Sequence, residues 1–116
     1  MSAVPAPTAR RVRSAASNNL TSVKASAGCI HAIQVGSPST GLKYLKIYDK
    51  ASAPVVASDT PILTITVAAS SSTPVNLGPT GLACSSGIAF AIVAGEADTD
   101  STNVAAGDVH ATIIYT

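Results

Sequence analysis

The chain has 116 residues, which is enough for one domain with a modest hydrophobic core and too few for two. Only 11% of the residues are charged and 3% are aromatic, so we expect a surface of small, uncharged side chains, which favours a component of an assembly over a free enzyme. All seven Lys and Arg residues precede residue 51, whereas five of the six acidic residues follow residue 58. With a net charge of +1, this division into a basic front half and an acidic back half predicts contact with a partner or with copies of itself.

Three simple features limit the class of protein. No run approaches the roughly 20 apolar residues that cross a bilayer, so we expect no membrane segment. The first residues contain arginines with no apolar segment after them, so we expect no secretory signal. The only cysteines, Cys29 and Cys84, are too few for a disulfide framework, and in a reducing compartment we expect both to be free, buried and small.

Residues 1–19 predict an arm that is extended or disordered. After the initiator Met, only Val4 and Val12 offer a sizeable aliphatic side chain. Fixing such a segment costs about 20–35 kcal/mol, which would need burial of on the order of 1000 Å² of apolar surface. We therefore expect the arm to become ordered only along a partner surface. The residues expected to contact that surface are Val4, Arg10, Arg11, Val12 and Arg13.

Residues 20–116 predict an all-β domain, an antiparallel sandwich of about seven short strands. The apolar runs that predict strands are 20–25, 29–35, 42–48, 62–68, 75–77, 87–95 and 109–115. The small residues 26–28 predict a tight hairpin between the first two strands. The Pro-containing stretch 51–61 predicts a connection that crosses from one sheet to the other.

The alternation of side chains predicts which strand faces are buried. Residues 87–95 are apolar on both faces, which predicts a central strand. In the strand 42–48, Tyr44, Lys46 and Tyr48 share a face that we expect to be exposed. The last strand predicts an inward row at Val109, Ala111, Ile113 and Tyr115.

Side chains able to perform catalysis are few. The only histidines are His31 and His110, and neither lies in a motif that would pair it with a nucleophile, so we expect no enzyme activity and no catalytic residue. Together with Cys29 and Cys84 these histidines provide the ligand types of a zinc site, but the spacing matches no zinc finger or ribbon. We therefore expect packing roles, no bound metal and no cofactor.

An acidic loop is predicted at residues 95–100, where Glu96, Asp98 and Asp100 alternate. The loop lacks the glycine and the terminal glutamate of a calcium-binding loop, so we interpret it as solvated. It is also the surface that would attract the basic arm of a neighbouring copy. Three arginines without an aromatic stacking surface are a small footprint for nucleic acid, so we expect an acidic protein partner instead.

Several stretches resemble small virion proteins of tailed bacteriophages. These stretches are 22–28 (SVKASAG), 44–51 (YLKIYDKA), 87–90 (GIAF), 98–100 (DTD), 104–109 (VAAGDV) and the final Ile-Tyr at 114–115. The resemblance covers about residues 20–116 and does not include the arm. It implies a β-sandwich module on the phage particle, either as a head decoration (cement) protein or as part of a tail or fibre.

The resemblance and the arm together lead to one main expectation. We expect a capsid decoration protein, made in the host cytoplasm, that binds the major capsid protein and neighbouring copies on the outside of the assembled head. The alternative is a tail or fibre module that binds the host surface, for which the Tyr44 and Tyr48 face would supply aromatic contacts. The sequence leaves open the location on the particle, the oligomeric state, the host, pairing of the two thiols and calcium binding by the acidic loop.

Overall fold

The computed structural model describes residues 6–116, which form nine β-strands and no helix. The strands are β1 (Thr8–Arg13), β2 (Thr21–Lys24), β3 (Gly28–Ser37), β4 (Lys43–Tyr48), β5 (Leu63–Val67), β6 (Ser71–Asn76), β7 (Leu82–Cys84), β8 (Ile88–Val93) and β9 (His110–Tyr115). The seven predicted strands correspond to β2, β3, β4, β5, β6, β8 and β9. A helix able to span a bilayer does not occur in this part of the chain.

The strands form two antiparallel sheets that pack face to face, which confirms the predicted all-β sandwich. Sheet A has the order β1-β9-β3-β6, with β7 paired to the other end of β3, and sheet B has the order β2-β8-β4-β5. The main core lies between the sheets, and every second side chain of each central strand points into it. Its largest members are Phe90, Ile30, Ile33, Leu45, Ile47, Ile88, Ile92 and Ile113, each at most 1% exposed.

The predicted central strand is confirmed, because β8 lies between β2 and β4 and all six of its residues are buried. The inward row of β9 is also confirmed at Val109, Ala111 and Ile113, which are at most 3% exposed, with Tyr115 partly buried against the core. Both results follow from the side-chain alternation of a strand, which depends only on local geometry.

The predicted exposed face of β4 is wrong, because Tyr44, Lys46 and Tyr48 are all buried. They lie on the outer face of sheet B, where a second apolar cluster joins Tyr44 and Tyr48 to Val56 and to β8. Val56 belongs to the segment 51–61, which does not cross between sheets but returns the chain from β4 to its neighbour β5. This segment folds over the outer face and removes it from water. The Tyr48 hydroxyl is buried and has no hydrogen-bond partner among the described residues, and burial raises its pKa.

The predicted hairpin at residues 26–28 is also wrong. β2 pairs with β8 in sheet B, whereas β3 pairs with β9, β6 and β7 in sheet A, so residues 26–28 connect the two sheets. Small residues make a tight turn in either case, so the turn itself does not reveal which strands pair.

Asp49 fixes the start of β8 against the end of β4. Its carboxylate accepts hydrogen bonds from the amides of Ser85 at 3.0 Å, Ser86 at 2.8 Å and Gly87 at 3.3 Å, and from the Ser85 hydroxyl at 3.0 Å. These bonds, led by the one from Ser86, lower the pKa of Asp49 because they favour the ionised carboxylate.

The N-terminal segment differs from the predicted free arm. Residues Thr8–Arg13 are extended, but they form β1 and pair with β9 along their whole length, from Thr8 opposite Tyr115 to Arg13 opposite His110. Five of the six residues are exposed, so apolar burial contributes little. The cost estimated from apolar area alone omitted the main-chain hydrogen bonds that β9 supplies. The sandwich therefore includes residues 8–13, while Val4 lies outside the described residues.

Candidate functional site

The basic edge of the protein is β1, which has a partner strand on one side only. Arg10, Arg11 and Arg13 are exposed on it, while Val12 is half-buried against the core. The ion pairs of the described residues use Lys43 and Lys50, so none of the three arginines is neutralised by a carboxylate of its own chain. The predicted contact residues on β1 thus form one continuous, positively charged strand edge.

Ser14 fixes the point at which β1 joins the rest of the sandwich. It is 4% exposed, and its hydroxyl donates to the carbonyl of Ala105 and accepts from the amide of Val109, both at 3.0 Å. Its main chain bonds Val109 at 2.8 Å and Gly107 at 2.7 Å. Because four hydrogen bonds hold this one residue, the C-terminal end of β1 is fixed against the segment that leads into β9.

The acidic loop 95–100 is held by a buried lysine. Lys46 is 0% exposed, and its ammonium donates to the main-chain carbonyls of Ala97 and, at 3.3 Å, of Asp100. The lysine thus binds the backbone of the loop and not its carboxylates. Glu96 and Asp98 are exposed and form no hydrogen bond or ion pair within residues 6–116, so their charges face solvent.

The third acidic residue of the loop has a structural role. Asp100 is half-buried and accepts a hydrogen bond from the amide of Thr102 at 2.9 Å. This bond lowers the pKa of Asp100, and the nearby Lys46 ammonium adds a smaller effect in the same direction. A Cβ at Gly95 would overlap the Asp100 carboxylate, so glycine is needed there for this inward orientation. The carboxylates of the loop that face solvent are therefore those of Glu96 and Asp98, and not that of Asp100.

The Cys and His residues do not come together as a metal site. No group of three or more His, Cys, Asp or Glu side chains is placed to hold a metal ion in the part of the chain that the structure describes. β3 pairs with β7 so that Cys84 lies opposite Gly28 and Cys29 lies opposite Ala83, which puts the two thiols on opposite faces of the sheet. Both thiols are free, and burial raises the pKa of Cys84. His31 instead contacts the Thr116 hydroxyl at 3.0 Å.

Sheet register brings together one set of polar residues that the sequence did not indicate. The outer face of sheet A carries Arg11 and Arg13 of β1 beside His110 of β9 and Gln34 of β3. These residues lie far apart along the chain, and only the pairing of β1 with β9 makes them neighbours. Because residues 1–19 were expected to form a separate arm, the sequence predicted no neighbours across a sheet for Arg11 and Arg13.

Comparison of the chain with models of protein families, with curated proteins and with solved structures found no match.

Proposed function

We propose that the protein is a structural component of a tailed-phage particle, a decoration protein that binds the outside of the assembled head in many copies. The observation that carries the proposal is the exposed edge strand β1 with three arginines that have no carboxylate partner among residues 6–116. The resemblance of residues 20–116 to phage virion proteins indicates that the assembly is a phage particle.

An edge strand offers two kinds of contact at once. Main-chain N–H and C=O groups on the side of β1 away from β9 are free to pair with an extended segment of a partner. The arginines favour a partner surface rich in carboxylates and disfavour random pairing with other edges, because like charges repel. The partner that fits is an acidic segment of the major capsid protein.

The acidic loop supplies a complementary contact for neighbouring copies. Lys46 holds the loop by its main chain, so Glu96 and Asp98 are presented in a fixed position without first being ordered by the partner. A contact between this loop and β1 of the next copy would join decoration proteins around a capsomer.

The function follows from linkage between binding and assembly. A protein that binds only the assembled shell stabilises it by about 2.7 kcal/mol per site when its free concentration is 100 times its dissociation constant. Repetition of many such sites over a head makes the total large even when each contact is weak.

The first experiment counts the protein on purified particles. Quantitative mass spectrometry should find hundreds of copies per particle if the protein covers the head. A few dozen copies or fewer would assign it to a tail or fibre, and none would contradict a virion role.

The second experiment separates the two charged surfaces. Heads stripped of the protein are incubated with wild type, with a variant in which Arg10, Arg11 and Arg13 are changed to Glu, or with Glu96→Lys/Asp98→Lys. We expect the arginine variant to lose head binding and the loop variant to reduce only the contacts between copies. Far-UV circular dichroism checks that each variant remains folded, and full occupancy by the folded arginine variant would contradict docking through β1.

The tail or fibre role depended on an exposed aromatic face. Tyr44 is 8% exposed and Tyr48 is 1% exposed, so that face is covered by the protein's own chain. No feature of the described residues favours this second role over the first.

A further inference from the structure

The outer face of sheet A has two adjacent cross-strand rows of polar residues. In an antiparallel sheet, residues directly opposite each other point to the same face and have Cβ atoms about 5 Å apart. The first row is Arg13, His110, Gly36 and Ser72, and the second is Arg11, Thr112, Gln34 and Pro74. Two guanidinium groups thus lie on the same face as an imidazole, an amide and two hydroxyls.

Gly36, in the middle of the first row, has no side chain, so the His110 ring packs closely over its main chain. A Cβ at this position would lie 2.9 Å from Cε1 of His110 and 3.1 Å from the carbonyl oxygen of Ser71. Beside this contact lies a cleft of about 360 Å³ with Arg11, Arg13, Gln34, Ser72, His110 and Thr112 around it. This volume is large enough for a small anion and part of the group attached to it.

The charge of the cleft is not balanced by the protein. Neither row contains an acidic residue, and no carboxylate pairs with Arg11 or Arg13 within the described residues. The two arginines are two residues apart on one strand, so their Cα atoms are about 7 Å apart and their charges repel each other. An anion between them would remove this repulsion. Arg10, on the opposite face of β1, does not line the cleft.

We propose that this cleft binds a phosphate group, either as inorganic phosphate or as a phosphate monoester. Each guanidinium presents a planar pair of N–H donors that matches two oxygens of an oxyanion. A phosphate monoester carries about −1.5 to −2 charges at neutral pH, which matches two arginines better than a single carboxylate does. The Gln34 amide and the Ser72 and Thr112 hydroxyls provide neutral donors around the remaining oxygens. This site shares Arg11 and Arg13 with the proposed docking surface, but it does not use the unpaired main-chain edge of β1.

The test is a titration followed by NMR of the folded, full-length chain at constant ionic strength. Inorganic phosphate should shift the amide signals of Gly36 and Thr112 along a saturable curve. Methyl phosphate should give a similar curve, and acetate should bind at least about fivefold more weakly because one carboxylate balances only one of the two charges. Shifts that grow linearly without saturation, or acetate binding equal to phosphate binding, would overturn the proposal.

Variants on β1 provide a matched comparison. Arg11→Ala and Arg13→Ala should each weaken phosphate binding by about tenfold, since each removes a charge-assisted hydrogen-bonding group. Arg10→Ala removes the same charge from the same strand on the other face and should change the affinity less than twofold. Equal losses in all three variants would mean that phosphate responds only to net charge, and the site would be rejected.

Gly36→Ala tests the shape of the cleft without changing charge. The added methyl group displaces the His110 ring, which lines the cleft, so we expect phosphate affinity to fall by about fivefold or more while the spectrum remains that of a folded protein. If a folded Gly36→Ala variant binds phosphate as tightly as wild type, the anion does not occupy this cleft.

Discussion

Replacement of Ser14 by alanine should destabilise the protein strongly for such a small change. The Ser14 hydroxyl accepts from the amide of Val109 and donates to the carbonyl of Ala105, each at 3.0 Å, and Val109 is 0% exposed. In Ser14→Ala the Val109 amide loses this partner in a place that water does not reach. Leaving a buried donor unsatisfied costs about 1–3 kcal/mol, and loss of the donated bond adds about 1 kcal/mol. We therefore expect the free energy of unfolding to fall by about 2–4 kcal/mol.

Urea denaturation followed by far-UV circular dichroism measures this loss, and thermal denaturation should show a fall in Tm of roughly 8–16 °C. The matched control is Ser71→Ala, since the Ser71 hydroxyl also donates to a carbonyl, that of Ala68 at 2.9 Å, but Ser71 is exposed. We expect the control to change stability by less than about 1 kcal/mol, because water replaces the lost bond.

The size of the difference between the two variants decides whether the reasoning holds. If Ser14→Ala costs no more than Ser71→Ala, then the hydroxyl of Ser14 does not serve the buried amide of Val109. Amide hydrogen exchange gives an independent reading, since the Val109 amide should lose protection in Ser14→Ala and keep it in the control.

Three further predictions concern groups that the fold holds in unusual surroundings. Lys46→Met should increase amide hydrogen exchange in residues 95–102 by at least about tenfold. We expect little change in the free energy of unfolding, because the substitution removes a buried charge together with its hydrogen bonds. Unchanged exchange in these residues would contradict the role of Lys46. The lowered pKa of Asp49 means that its ionised form stabilises the fold fully above about pH 4. This contribution disappears as the pH falls through the lower, folded pKa, so Asp49→Asn should be less stable than wild type at pH 7 and equal to it in strong acid, as measured by urea denaturation at each pH. Cys29 should react with a thiol reagent in the native protein, while Cys84, 1% exposed and with a raised pKa, should react only after unfolding; equal reaction rates would show that the fold does not protect Cys84.

The alternation of side chains predicted most of the strands and their inward faces. Residues 87–95 indicated the central strand because they are apolar on both faces, and residue spacing along a strand fixes the face to which each side chain points. That information is local, so it does not depend on which other strands the strand pairs with.

Pairing between distant strands was not predictable from the same pattern. Lys46 lies between two tyrosines on a strand face that the sequence pattern indicates to be polar. This face is buried only because residues 51–61 and the acidic loop fold over it. Likewise, the energy estimate for residues 1–19 counted apolar area, whereas β1 is held mainly by main-chain bonds to β9. Main-chain bonds are available to every sequence, so composition alone does not reveal them.

The charged candidate residues were predicted by type but not by arrangement. Glu96 and Asp98 are exposed as expected, and Asp100 points inward because Thr102 and Gly95 favour that orientation. The neighbours of Arg11 and Arg13 across the sheet depend on strand register, which is set over nearly the full length of the chain.

The position of β9 between β1 and β3 also constrains when the protein can finish folding during synthesis. Sheet B contains only strands that end by residue 93, so all of its strands are synthesised before the middle strand of sheet A. Sheet A lacks its middle strand until residue 115 has emerged from the ribosome. Until then, β1 and the side of β3 that pairs with β9 stay unpaired. The like charges of the β1 arginines disfavour pairing of this open edge with the same edge of another unfinished chain.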